Sequence, residues 1–139
     1  MEQNKSTMAV AIVEAVAAVF MLLAVKVIAP VCTGMVETAA GKQVPMRCHY
    51  TEVAATLFAM LLLVNAVVCF VTKQKAACGI MAVALGVCGF VILSSSIGTG
   101  ICANPDMACN VTAPYIKLCS TLAVLAGAVS AFMGMKESK

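Results

Sequence analysis

Apolar residues fall along this chain in four long runs: Met8 to Pro30, Val53 to Val71, Ala76 to Leu93 with a tail reaching Ile101, and Ile116 to Met135. A run of about twenty apolar residues matches the hydrocarbon thickness of a bilayer when wound as a helix. Helices and closed barrels are the only structures that satisfy every backbone polar group there. The pattern therefore predicts an all-α integral membrane four-helix bundle. It forms a single domain over 1–139, with helices near 8–30, 53–71, 76–97 and 116–135. The first run follows a short polar head carrying Lys5, as a secretory signal would. It is longer than a signal core, is interrupted by Glu14 and is followed by three more runs, so it reads as a retained span.

Composition leads to the same class. At 63% hydrophobic, 11% charged and a mean hydropathy of +1.04, the chain is too apolar for a soluble globule of 139 residues, whose surface is large for its volume. The net charge of +3 is thinly spread and there is no Trp, so nucleic acid is set aside as a partner. Lysines give an orientation. Lys5, Lys73, Lys75, Lys136 and Lys139 lie at the N-terminus, between the second and third runs, and at the C-terminus, against Lys42 and Arg47 in the other connections. The positive-inside bias then puts both termini in the cytoplasm and the loops Val31 to Thr51 and Ser94 to Pro114 outside.

Cysteines follow that topology. Cys32 and Cys48 fall in the first outward loop and Cys102 and Cys109 in the second, on the face where disulfides persist, so the loops are expected to be disulfide-braced. Four cysteines allow three connectivities. The favoured one joins Cys32 to Cys48 and Cys102 to Cys109, each closing a loop within one hairpin. Cys69, Cys78, Cys88 and Cys119 lie in apolar context and read as small hydrophobes. Both hairpins run apolar helix, Cys, insert, Met-x-Cys, apolar helix, with Met46-Arg47-Cys48 matched by Met107-Ala108-Cys109. That is the layout of two tandem helical hairpins related by an axis along the membrane normal; chance coincidence in a Met- and Cys-rich chain is the alternative.

Small residues Gly79, Ala82, Gly86 and Gly89, and Ala123, Gly127, Ser130 and Gly134, recur at helical spacing. They predict grooves where backbones approach closely, either inside the bundle or at an interface with a partner or a second copy. Polar residues within spans are costly, so Glu14, Asn65 and Ser130, at similar depths, are expected to meet. In that arrangement a protonated Glu14 donates to Asn65 or a backbone carbonyl and pins the helices. A proton or cation site is the functional alternative. Lys26, Glu52 and Lys117 sit near the outer helix ends, where lysines snorkel to the headgroups and Glu52 can pair with either.

The string Met46-Arg47-Cys48-His49-Tyr50-Thr51 holds the only histidine. Met46 and His49 are soft and borderline metal ligands, which brings copper or haem into view. A disulfide-bonded Cys48 cannot ligate, no second His exists, and Cys-x-x-Cys-His is absent. A hydrogen-bonding cap is the plainer role for His49. Thiol or quinone oxidoreduction is the natural enzyme alternative for such a bundle, but the close Cys-x-x-Cys that speeds exchange is missing.

With Cys32, Met46, Cys48, His49, Tyr50, Thr51, Cys102, Met107 and Cys109 in this order, the chain resembles an uncharacterised family of small bacterial four-helix membrane proteins. That family carries a Met-x-Cys-His-aromatic-Thr motif at the start of helix two and a second Cys pair before helix four. Tyr50 stands where the family prefers Trp, and Glu52 where it tends to have Gly. The resemblance implies a bacterial cytoplasmic membrane, no established activity, and an accessory place beside exporter-type ABC transporters. The expected function is thus a non-enzymatic subunit of a membrane complex, with the lipid bilayer and a membrane protein or homo-oligomer as partners and no cofactor. The alternative is a membrane thiol/quinone oxidoreductase or a haem- or copper-binding protein.

Overall fold

The structure, a computed structural model, describes residues 2–28, 30, 34–94, 96–98, 100 and 104–137. Helix α1 (Glu2–Leu23) runs on into a π-helical turn, Ala24–Ile28. A two-stranded hairpin follows, β1 (Met35–Glu37) and β2 (Gln43–Pro45), then α2 (Arg47–Thr72), α3 (Lys75–Leu93) and α4 (Ala108–Glu137). All four helices are long and apolar enough to cross a membrane. Successive helices run antiparallel, so one end of the bundle carries the loops after α1 and α3 and the other carries the start of α1, the α2–α3 turn and the end of α4. These are called the loop end and the terminal end.

Helix boundaries depart from the hydropathy runs at the loop end. Helix α2 begins at Arg47 rather than Val53, and α4 at Ala108 rather than Ile116. Their first turns are polar, with Arg47, His49 and Glu52 in one and Asn110 and Thr112 in the other, so apolarity could not mark them. Pro114 lies inside α4 instead of ending the loop. Its missing N–H removes the helical bond to the carbonyl four residues earlier, in the first turn of α4, a defect that membrane helices tolerate. The first loop contains the hairpin, with Val36 opposite Val44 and Glu37 opposite Gln43. Gly41, at φ 73°, supplies the left-handed residue of its turn.

At the terminal end, Lys73 adopts a left-handed conformation (φ 57°) and its N–H closes on Cys69 O at 3.1 Å. This lets the chain reverse within two residues between α2 and α3.

The core gathers Ala18, Met21, Val25, Phe58, Leu62 and Ile116 with small residues between them. Helices α3 and α4 meet nearly backbone to backbone. A side chain added at Gly127 would lie 2.8 Å from Gly79 O and from Ala82 Cβ, and one at Gly134 would lie 2.5 Å from Ala76 N. The grooves expected from the sequence are therefore filled by each other, as a seam inside one bundle. Cys48 and Cys109 are each the second residue of their helices, and the threonines three residues on, Thr51 and Thr112, are both buried.

Candidate functional site

The loop end concentrates the motif residues. Cys48 and Cys109 are bonded to each other, across 61 positions of sequence and with Cα atoms 6.1 Å apart. This corrects the expected local pairing of Cys48 with Cys32 and of Cys109 with Cys102. Loop-closure cost favours near neighbours, but the fold sets the first turns of α2 and α4 side by side. Cys32 and Cys102 lie outside the described residues. Both bonded cysteines are buried, at 1% and 3% exposure. The Thr51 hydroxyl, also buried, donates to Gly100 O at 2.9 Å and so ties the second loop to α2. Met46 N–H reaches Gly34 O at 3.4 Å, tying the hairpin to the same turn.

Lys26, in the π-helical turn, pairs with Glu52 on α2. The wider π turn sets this side chain off the regular α-helical spacing, a common use of such turns. Glu52 thus takes Lys26 rather than Lys117, which is exposed on α4. His49 is exposed, with an edge contact to Tyr50, and its N–H bonds Met46 O within the first turn of α2. Met46 itself holds the cap position, with extended backbone and no side-chain cap bond, so the capping role expected of His49 does not arise. Among the described residues no group of three or more His, Cys, Asp or Glu side chains is placed to hold a metal ion.

Mid-bundle, the expected cluster divides. Asn65 Nδ2 donates to Glu14 Oε2 at 2.9 Å, joining α1 to α2, whereas the Ser130 hydroxyl donates to Lys75 O at 3.2 Å near the terminal end. Depth along a helix was a fair guide for the first pair. Ser130 failed it because α4 faces α3 there, through the glycine seam. Asn65 is the donor, so the direction is opposite to that expected, and Glu14 Oε1 is buried with no partner among the described residues.

The terminal end holds what the sequence reading missed. Cys69 and Cys78 are bonded, with Cα atoms 5.6 Å apart, linking the last turns of α2 to the first turn of α3. Lys75, the first residue of α3, is buried and pairs with Glu137 at 2.9 Å. A signal for the bond was present. Two cysteines flank the short Thr72-Lys73-Gln74-Lys75 turn at similar distances, which brings them opposite each other once the turn closes.

No curated protein and no solved structure matches the chain. A family model does, over residues 14–133, which takes in most of the chain, the whole of the second and third spans and most of the first and fourth. The protein belongs to the family defined by a domain of unknown function, DUF4418.

Proposed function

We propose that this protein is a non-catalytic subunit of a membrane complex. It sits in the bacterial cytoplasmic membrane with both termini inside, and its loop end docks the extracytoplasmic side of a partner, an exporter-type ABC permease. Orientation rests on the lysine bias, which gathers Lys5, Lys73, Lys75 and Lys136 at the terminal end. One observation carries the docking role. Exposed apolar side chains within the spans face lipid and need no further account, but Met35, Val36 and Val44 of the hairpin and Ile97 of the second loop lie beyond the spans. Ile97 is 81% exposed. Apolar groups on a braced platform outside the bilayer are the mark of a contact surface.

The platform is rigid by construction. The Cys48–Cys109 bond, the Thr51–Gly100 and Met46–Gly34 hydrogen bonds and the Lys26–Glu52 pair tie α2 to α4, to the π-helical end of α1 and to both loops. Burial of the Cys48–Cys109 bond also weighs against rapid exchange at this pair, which the oxidoreductase alternative requires. Co-purification of the tagged chain with the permease tests the reading. Val36→Glu, Val44→Glu and Ile97→Glu should each release the permease while leaving thermal unfolding in detergent unchanged. Retention of the permease by all three would overturn the proposal.

A further inference from the structure

The two disulfides of the described residues stand at opposite ends of α2, at Cys48 and Cys69. At about 1.5 Å per helical residue they are separated by about 31 Å, the thickness of bilayer hydrocarbon. Whichever way the bundle is inserted, the two pairs therefore belong to different sides of the membrane. One side of a cytoplasmic membrane is kept reducing by the thiol pool. With the orientation proposed above, the pair on that side is Cys69–Cys78.

We infer that Cys69 and Cys78 form a thiol–disulfide exchange site at the cytoplasmic face, whose co-reactant is a small cytoplasmic thiol or its disulfide. The inference shares its orientation with the proposed function but is independent of any partner. Three features of the geometry support it. The Cα separation of 5.6 Å lets the bond form and break without backbone movement. The turn between the cysteines is already closed by the Lys73 N–H bond to Cys69 O, so the dithiol form keeps the same fold. Cys69 and Cys78 are themselves buried, at 3% and 6% exposure, but a cavity of about 170 Å³ lined by Thr7, Met8, Cys69, Phe70 and Lys73 gives a small reagent a route to Cys69, and exposed Thr72 has its hydroxyl 4.0 Å from Cys78 Sγ.

The exchange balances as follows. One protein thiolate attacks a sulfur of the small disulfide RSSR, forming a mixed disulfide and releasing one RSH. The second protein thiol then displaces the other RSH. Two electrons pass from the cysteine pair to RSSR, and the two thiol protons end on two RSH. Excess RSH runs the same steps backwards. The bond acts on a busy region, since Lys75 in the same turn holds both Ser130 and Glu137 of α4.

The test uses the full chain in inside-out and right-side-out membrane vesicles. Each is equilibrated with reduced or oxidised glutathione and then treated with a membrane-impermeant maleimide, and peptides are mapped by mass. In inside-out vesicles, Cys69 and Cys78 should pass from near-complete labelling after reduced glutathione to near-complete protection after oxidised glutathione, reversibly, while Cys48 stays linked to Cys109. In Cys69→Ser, Cys78 should halt at the mixed disulfide with glutathione. If that variant does not accumulate, the wild-type cycle decides. A pair that resists reduced glutathione from this side, fails to close with the oxidised form, or is reached only in right-side-out vesicles would overturn the inference. Loss of permease co-purification leaves the exchange result unaffected, so the two proposals fail separately.

Discussion

Among the described residues, the loop end and the terminal end are built from the same parts, one disulfide and one ion pair each, yet they use them over very different spans of chain. At the loop end the disulfide joins residues 61 apart, and the ion pair links α1 to α2 across 26. At the terminal end the disulfide joins residues 9 apart around a turn already closed by hydrogen bonds, while the ion pair links α3 to the end of α4 across 62. Covalent closure thus governs the overall arrangement at one end. At the other, a buried lysine and its carboxylate govern it, and the covalent bond is left free to respond to chemistry. A cross-link contributes most where it removes the most freedom from the unfolded chain.

The sharpest way to break this comparison is to delete both disulfides in turn. The chain-entropy relation gives about 4 kcal/mol for a loop the size of that closed by Cys48–Cys109, and less than about 3 kcal/mol for the short one closed by Cys69–Cys78. In a bilayer the unfolded helices stay helical, so both figures are ceilings. Cys48→Ala with Cys109→Ala should therefore lower stability in detergent more than Cys69→Ala with Cys78→Ala. Equal losses would mean that the terminal-end bond does more than close a turn. A non-reducing peptide map of the wild type should show Cys48 linked to Cys109, and a Cys32–Cys48 link would contradict the fold itself.

Between the ends, the Glu14–Asn65 hydrogen bond gives a reference that neither disulfide touches. Asn65→Leu strips the remaining partner from a carboxyl group that already has one buried unpaired oxygen. Leaving a buried polar group unmatched costs about 1–3 kcal/mol, whereas replacing both partners by apolar groups of similar shape is close to neutral. Asn65→Leu alone should then be clearly destabilising, and Glu14→Met with Asn65→Leu should recover most of the loss. If the double variant is the worse of the two, Glu14 has a further partner, and the middle of the bundle is a site rather than a staple.

The four spans were legible because the bilayer imposes them: each apolar run became a helix, and the glycine spacing of α3 and α4 became their seam. Glu14 and Asn65 were legible for the same reason, since two polar groups buried at one depth on adjacent helices seek each other. The polar first turns of α2 and α4 escaped, because hydropathy cannot see a helix that extends beyond lipid. The partner of Cys48 escaped because loop-closure cost points to a near neighbour, whereas the packing of α2 against α4 that brings Cys109 to it has no local signature in the sequence. Lys75 was read only as a positive charge marking the inside, and its burial against Glu137 depends on where α4 ends, which no local pattern records.

Glu137→Gln probes the terminal end without touching its cysteines. Lys75 is 8% exposed and occupies the first turn of α3, where the helix dipole disfavours a positive charge, so it depends on Glu137 for compensation. Because Glu137 is itself 38% exposed, solvent screens the pair and the loss should be about 1 kcal/mol rather than the larger figure for a sealed pair. Lys75→Met in the same background should restore stability. Thermal melts of the three variants check this, and failure of Lys75→Met to rescue would show that the lysine ammonium has another partner.

The smallest effect is expected at Lys26–Glu52, and it calibrates where water begins at the loop end. Lys26 is 54% exposed and Glu52 18%, an arrangement in which an ion pair contributes less than about 1 kcal/mol. A double-mutant cycle with Lys26→Gln and Glu52→Gln should return a coupling in that range, falling further as salt is raised. A coupling of several kcal/mol, insensitive to salt, would mean that the pair lies in a desolvated layer. The membrane boundary would then sit above the first turn of α2, and the Cys48–Cys109 bond would be shielded by lipid rather than by protein packing alone. The rigidity assigned to the loop end would then come from the membrane itself.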